Sequence, residues 1–335
     1  MSCAAAVLAV FAAGCGGKSA SPGKLVPSGE GLEGPSAAKA TLYASGLPLA
    51  SAFAFDARGR LWVTTSGATT HLTDGVFVVP SPGGAALRVV SGIRGPLGLV
   101  WVGGRLVVSS LGRVTAFGDL RGTRFRSQET IVDGPVPGGE NNNVILMPDG
   151  NLVMGISASC DHCVPSSRWS ASIVTFRPDG GGLRLFATRI RAAYGLAYYP
   201  GTDDLFASMN QRDDLGAATP GDWLGLVRRG QDWGFPGCYG QQTAACRLHP
   251  KPVAVLDPHA AAGGVAIRDG SAYVSEWQLG KVQRVVLTKT GSGYTGTVEP
   301  FLAGLKNPLP LIVAANGDLL VGDWGTGRVY RISQG

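Results

Sequence analysis

The sequence predicts an all-β fold, a six-bladed β-propeller closed by an N-terminal strand. Three observations carry that expectation. One phrase, a turn of Asp, Gly or Asn character followed by a leucine-like residue and a short strand, recurs six times. The composition sets 51 glycines and 21 prolines against only 16% charged residues, which suits many short strands joined by tight turns. The outer strand missing after the last repeat has a counterpart near the start of the chain.

In chain order, residues 4 to 13 form an apolar run followed by Gly14-Cys15-Gly16-Gly17. The run is too short to span a membrane and has the size of a signal-peptide core. A cysteine after small residues resembles a bacterial lipobox, so residues 1–15 read as a lipoprotein-type leader with Cys15 as the lipid attachment point. Ala12 stands where leucine is usual, and no Lys or Arg precedes the run. The expected location is the bacterial cell envelope, with membrane contact only through the lipid. Residues 16–40, rich in Gly, Ser, Pro and Ala, read as a flexible tether.

The propeller is expected over 41–335. Its six turn phrases are 56–63, 102–108, 148–154, 200–206, 268–274 and 315–321. Spacings of about 45 to 65 residues are those of propeller blades with loop insertions. A strand precedes most turns, as in Ser51–Phe55, Gly98–Trp101, Asn143–Leu146, Gly195–Tyr198 and Gly264–Ile267. Third strands follow at Ser172–Phe176, Lys281–Val285 and Arg328–Ile332, and fourth strands at Leu87–Val90, Thr130–Val132, Leu183–Phe186, Val253–Leu256 and Val298–Phe301. Ala40–Tyr43 supplies the sixth fourth strand, closing the ring and removing its free edges.

The formal net charge is +6, but the 29 Lys and Arg residues are spread along the chain. Arg113, Arg121, Arg124 and Arg126 are spaced like the arms of a solvated hairpin, and no nucleic-acid motif accompanies them. Cys160, Cys163, Cys238 and Cys246 remain outside the leader. Export permits disulfides among them, and three pairings are open, the local ones being simplest. A redox Cys-x-x-Cys, or a zinc site using His162 or His249, lacks the helix or second Cys-x-x-Cys that its chemistry wants.

Loops from one blade's outer strand to the next blade's inner strand surround one mouth of a propeller channel. They carry Arg94, Glu140 with Asn141 to Asn143, Arg191, His259 and Lys306. Convergence of the four basic residues would make a funnel for a small anionic, polar ligand.

The run Arg191–Phe206, continuing through Met209–Gly216, Pro220–Trp223 and Trp233–Gly240, resembles the soluble quinoprotein glucose/sorbosone dehydrogenases. Ser157–Cys163 and Pro258-His259 are also similar to elements of that family. The resemblance covers roughly 41–333. It implies a monomeric sugar dehydrogenase using pyrroloquinoline quinone (PQQ) and calcium, with Arg191, Asn210, Arg94 and Lys306 on the cofactor and Asp222 and Asp213 toward the metal. The family's catalytic histidine lies nine residues before the Pro-Asp-Gly turn. Here that count reaches Gly139, with Glu140 beside it, so Glu140 or a rearranged His259 would act as base. Ala192 replaces the asparagine after the family arginine, and Trp223 stands where an acidic calcium-side residue is usual. The alternatives are a non-catalytic relative that binds a carbohydrate or another envelope partner, and a calcium-dependent lactonase using Glu140 and Asn141 to Asn143.

Overall fold

The fold comes from a computed structural model that describes residues 24–67, 70–136, 139–240 and 243–334. β1 (Val26–Gly29) and β2 (Leu32–Gly34) pair as a hairpin, and β3 (Ala38–Ala44) follows. Blade 1 is β4 (Ala50–Phe55), β5 (Leu61–Thr65), β6 (Gly75–Val79) and β7 (Leu87–Ser91). Blade 2 is β8 (Gly98–Val102), β9 (Arg105–Ser110), β10 (Arg113–Arg121) and β11 (Arg124–Asp133). Blade 3 is β12 (Asn141–Leu146), β13 (Leu152–Ile156), β14 (Ser172–Phe176) and β15 (Arg184–Thr188). Blade 4 is β16 (Ala193–Tyr198), β17 (Leu205–Met209), β18 (Gly221–Val227) and β19 (Ala254–Pro258). Blade 5 is β20 (Ala262–Arg268), β21 (Ser271–Glu276), β22 (Lys281–Thr290) and β23 (Gly293–Leu302). Blade 6 is β24 (Pro308–Val313), β25 (Leu319–Asp323) and β26 (Arg328–Gln334), completed by β3. The closing pair is antiparallel, with Ala40 opposite Ile332 and Leu42 opposite Tyr330.

Six apolar cores lie between the six pairs of neighbouring blades. Each middle strand is buried on both faces, so it reads as a continuous hydrophobic run that nevertheless divides with period two. On β13, Leu152, Met154 and Ile156 pack toward blade 2, while Val153 packs toward blade 4. On β25, Leu319 and Val321 face blade 5 and Leu320 faces blade 1.

Around the axis the inner strands approach so closely that some positions exclude a side chain. A Cβ on Gly98 would stand 2.6 Å from the Val144 amide nitrogen, and one on Gly195 would stand 2.4 Å from the Gly263 oxygen. At least one polar staple crosses every junction. Ser51 donates to Pro96 O (2.7 Å), Ser109 to Asn142 O (2.5 Å) and the Asn142 amide to Ala193 O (3.1 Å). Ser208 donates to Gly263 O (2.5 Å), Ser275 to Leu309 O (2.8 Å) and the Trp324 indole to Ser66 O (2.9 Å).

The leader, including Cys15, lies outside the described residues, as do residues 16–23 of the expected tether. The tether expectation needs correcting over 26–34, which form the β1–β2 hairpin. Leu32 is buried there against Phe301 and Leu302, and Glu33 exchanges backbone hydrogen bonds with Ala303. Cysteines pair locally, Cys160 with Cys163 and Cys238 with Cys246. The arginine-rich hairpin is β10–β11, where Asp119, Glu129 and Asp133 balance Arg121, Arg105 and Arg113. No described helix is long and apolar enough to cross a membrane.

Candidate functional site at the channel mouth

A cavity of about 310 Å³ opens at the mouth, and all six blades contribute to its wall. Tyr194 on β16 crosses the axis, its hydroxyl donating to the Ser51 carbonyl of β4 (3.1 Å). Burial, with the Glu140 charge adding, raises the phenol's pKa, so it stays a donor. Trp277 and Trp324, on the loops after β21 and β25, meet edge to face with centroids 5.4 Å apart. Asn307 donates to the Trp277 carbonyl (3.1 Å), which fixes the backbone there.

The polar part of the wall is Glu140, Asn210 and His71. Asn210 Oδ1 is buried without a hydrogen-bond partner among the described residues. His71 sits on the β5–β6 loop with Nδ1 2.6 Å from Asp74 Oδ2. Asp74 is 1% exposed and also accepts the amides of Gly67 (2.7 Å) and Gly95 (2.6 Å), so its position is fixed by two blades. With Nδ1 toward a carboxylate, His71 keeps Nε2 for another partner, and none is seen among the described residues. A second chamber of about 690 Å³ shares Glu140, Tyr194 and Asn210 with the first and is bordered by Ser159, Cys160 and Arg191.

The expected residues fare differently. Glu140 lines both chambers and Asn210 does the same, at the end of the inner strand pair of blade 4. Arg191 borders the second chamber, but its guanidinium is committed to Asp161 O (2.8 Å), Asp161 Oδ1 (2.5 Å) and Asn210 O (3.2 Å). Arg94 and Lys306 are exposed and line neither chamber. His259 is turned outward, between Asp213 Oδ1 (2.7 Å) and Gly216 O (2.9 Å), and those two acceptors raise its pKa. The convergent basic funnel is therefore not assembled: local aspartates and backbone carbonyls claim Arg191 and His259, while Arg94 and Lys306 are exposed and line neither chamber. Asn141 and Asn142 are fully buried staples, bonded to Ser110 O (2.9 Å) and Ala193 O (3.1 Å) respectively, and do not face the mouth as donors to a ligand.

Asp222 is 2% exposed, and both its oxygens accept backbone amides, from Gln211 (2.7 Å) and Ala262 (2.7 Å). Burial pushes its pKa up to about 6. Asp213 points to His259, and Trp223 is stacked on Trp233 at 4.4 Å. Calcium wants six to eight oxygens. Among the described residues no cluster of three His, Cys, Asp or Glu side chains is arranged to start such a set.

Against solved structures, the chain superposes on a Thermus thermophilus oxidoreductase described as a glucose dehydrogenase. The TM-score is 0.74 at 20% identity, covering 88% of this chain and 100% of that one. The PQQ-bound aldose sugar dehydrogenase of Streptomyces coelicolor gives 0.74 at 19% identity, over 90% and 99%. The holo PQQ domain of a Coprinopsis cinerea pyranose dehydrogenase gives 0.74 at 18%, over 92% and 98%. The fold is that of the quinoprotein sugar dehydrogenases. No family model and no curated protein matches the chain.

Within this sugar dehydrogenase fold, the mouth holds residues that sequence reasoning missed: His71, Asp74, Tyr194, Trp277 and Trp324. A signal for the tryptophans was present. Ser275-Glu276-Trp277 and Gly322-Asp323-Trp324 end the second strand of consecutive blades on an acid and place a tryptophan directly after it. His71-x-x-Asp74 lies in a loop that the six-fold repeat leaves unaligned, so nothing in the repeat marks it.

Proposed function

We propose that the channel mouth binds a neutral sugar. The observation that carries this reading is one wall combining the paired indoles of Trp277 and Trp324 with Glu140, His71 and the unpartnered Asn210 Oδ1. A pyranose offers an apolar C–H face and a rim of hydroxyls. Indole faces suit the first, and a carboxylate, an imidazole and an amide oxygen suit the second. The cavity volume lies at the low end of the roughly 300–1,000 Å³ typical of small-molecule sites. The sugar dehydrogenases of the same fold support the ligand class.

A second reading is oxidation of that sugar, the hydroxyl proton passing to His71 and the hydride to a two-electron acceptor of quinone class that the protein would take up, favoured by the His71–Asp74 pair. An imidazole held by a buried carboxylate is suited to accept a hydroxyl proton on Nε2 and to be stabilised once charged. Relatives of this fold were solved with PQQ and with calcium. PQQ carries three carboxylates, and the residues present do not fit it. Among the described residues no Lys or Arg lines the central cavity, Glu140 would repel the cofactor, and Arg191 is already paired with Asp161. The mouth is thus read as a sugar site that keeps a base without the cations for a tricarboxylic quinone. If the leader is a lipobox, this site is displayed at the cell envelope.

Calorimetric titration with neutral aldoses, and in parallel with PQQ with and without calcium, tests both readings. Sugar binding with no PQQ binding is expected. Tight, calcium-dependent PQQ binding would contradict the misfit to PQQ and put the oxidation reading first, and binding of neither would overturn both.

A further inference from the structure

Asp161 lies inside the four-residue loop closed by Cys160–Cys163, away from the cavity wall, yet it joins three segments that build the wall. Its carboxylate accepts Arg191 Nη2 (2.5 Å), the Asp213 amide (3.1 Å to each oxygen) and the Asp214 amide (3.0 Å). Its carbonyl accepts Arg191 Nε (2.8 Å). Arg191 passes the constraint on, since Nη1 donates to Asn210 O (3.2 Å) and its own carbonyl accepts the Ala158 amide (2.6 Å). Asn210 is the residue whose buried Oδ1 lacks a partner among the described residues and which lines both chambers.

We infer that Asp161 is a positioning residue for the sugar site, and that the Cys160–Cys163 disulfide serves to hold it there. This deepens the sugar-binding reading and rests on it. A disulfide closing so short a loop removes little entropy from the unfolded chain, so its main consequence is local. It fixes the loop that presents one carboxylate to two consecutive amides and a guanidinium. That carboxylate sets the height of the 210–214 segment on the channel rim. Asp222 fixes the same segment through the Gln211 amide, so two carboxylates anchor the residues that follow Asn210.

The test compares wild type with Asp161→Ala, the double variant Cys160→Ser/Cys163→Ser, and the triple variant. Two readouts are used: calorimetric affinity for whichever neutral aldose binds the wild type, and hydrogen exchange of the 210–214 amides. The single and double variants are each expected to bind the sugar about tenfold more weakly and to exchange the Asp213 and Asp214 amides faster. The triple variant should be no weaker than Asp161→Ala alone, because the disulfide acts through Asp161. Unchanged exchange, or effects that add in the triple variant, would overturn the inference. Asp161→Asn, which keeps the shape and one acceptor, covers the case in which the alanine variant does not fold. It should show the same faster exchange in smaller degree. A wild type that binds no sugar would overturn the function proposed above, while the exchange readout would still decide whether Asp161 holds the segment.

Discussion

At the scale of single residues, the mouth is governed by which polar atoms already have partners. Asp222 was legible as an acid near the expected metal side, but not as a clamp, because the amides it accepts come from Gln211 and Ala262, 11 and 40 residues away. Its folded pKa of about 6 lies above the ordinary 3.8, so the native state holds the proton more tightly than the unfolded chain does. The corresponding stability is fully present below about pH 4 and is lost as pH rises toward 6, by roughly 3 kcal/mol. The thermal midpoint of Asp222→Asn should therefore rise relative to that of wild type between pH 4 and pH 6. A difference that does not change with pH would contradict the assignment. For Trp277→Ala, lost stacking should weaken sugar binding by about 1 kcal/mol, roughly fivefold in a calorimetric Kd. Arg191, by contrast, was legible from sequence and is at the mouth, but Asp161, invisible to any spacing argument, takes its charge.

At the scale of strands and blades, the sequence repeat was informative because its cause is local. A Gly/Asp/Asn turn and a following apolar strand recur wherever a blade turns from its inner to its second strand, as at Pro148–Met154 and Ala315–Val321. The staples between blades were not legible, since a serine such as Ser208 looks like any strand serine until Gly263 of the next blade is beside it. Replacing Ser208 or Ser275 by alanine should cost about 1 kcal/mol in denaturant unfolding, or more if the facing carbonyl stays dry. Gly195→Ala should cost more, about 1–3 kcal/mol, because the new Cβ meets backbone of blade 5 that cannot swing aside.

At the scale of the whole molecule, ring closure was legible because a missing outer strand demands a partner, and β3 beside β26 meets that demand. The hairpin of β1 and β2 was not, since Pro, Gly and Ser in 26–34 read the same in a tether as in a tight turn. Removing residues 24–44 should expose the β26 edge and yield aggregated protein by light scattering, whereas removing only 24–34 should leave a folded monomer of lower thermal midpoint. The basic funnel failed at this scale too, because convergence of loops does not ensure convergence of charges: Arg191 and His259 find acceptors nearby, and Arg94 and Lys306 stay exposed outside both chambers. What the ring does bring together is an aromatic and polar mouth, and the seven tryptophans can report on it directly. In a two-dimensional NMR titration of the indole Nε1–H signals with a neutral aldose that binds, Trp277 and Trp324 should shift. Trp62, Trp101, Trp169, Trp223 and Trp233, none of which lines the cavity, should not. Shifts confined to Trp223 and Trp233, or no indole shift at saturating sugar, would contradict a sugar site at the channel mouth.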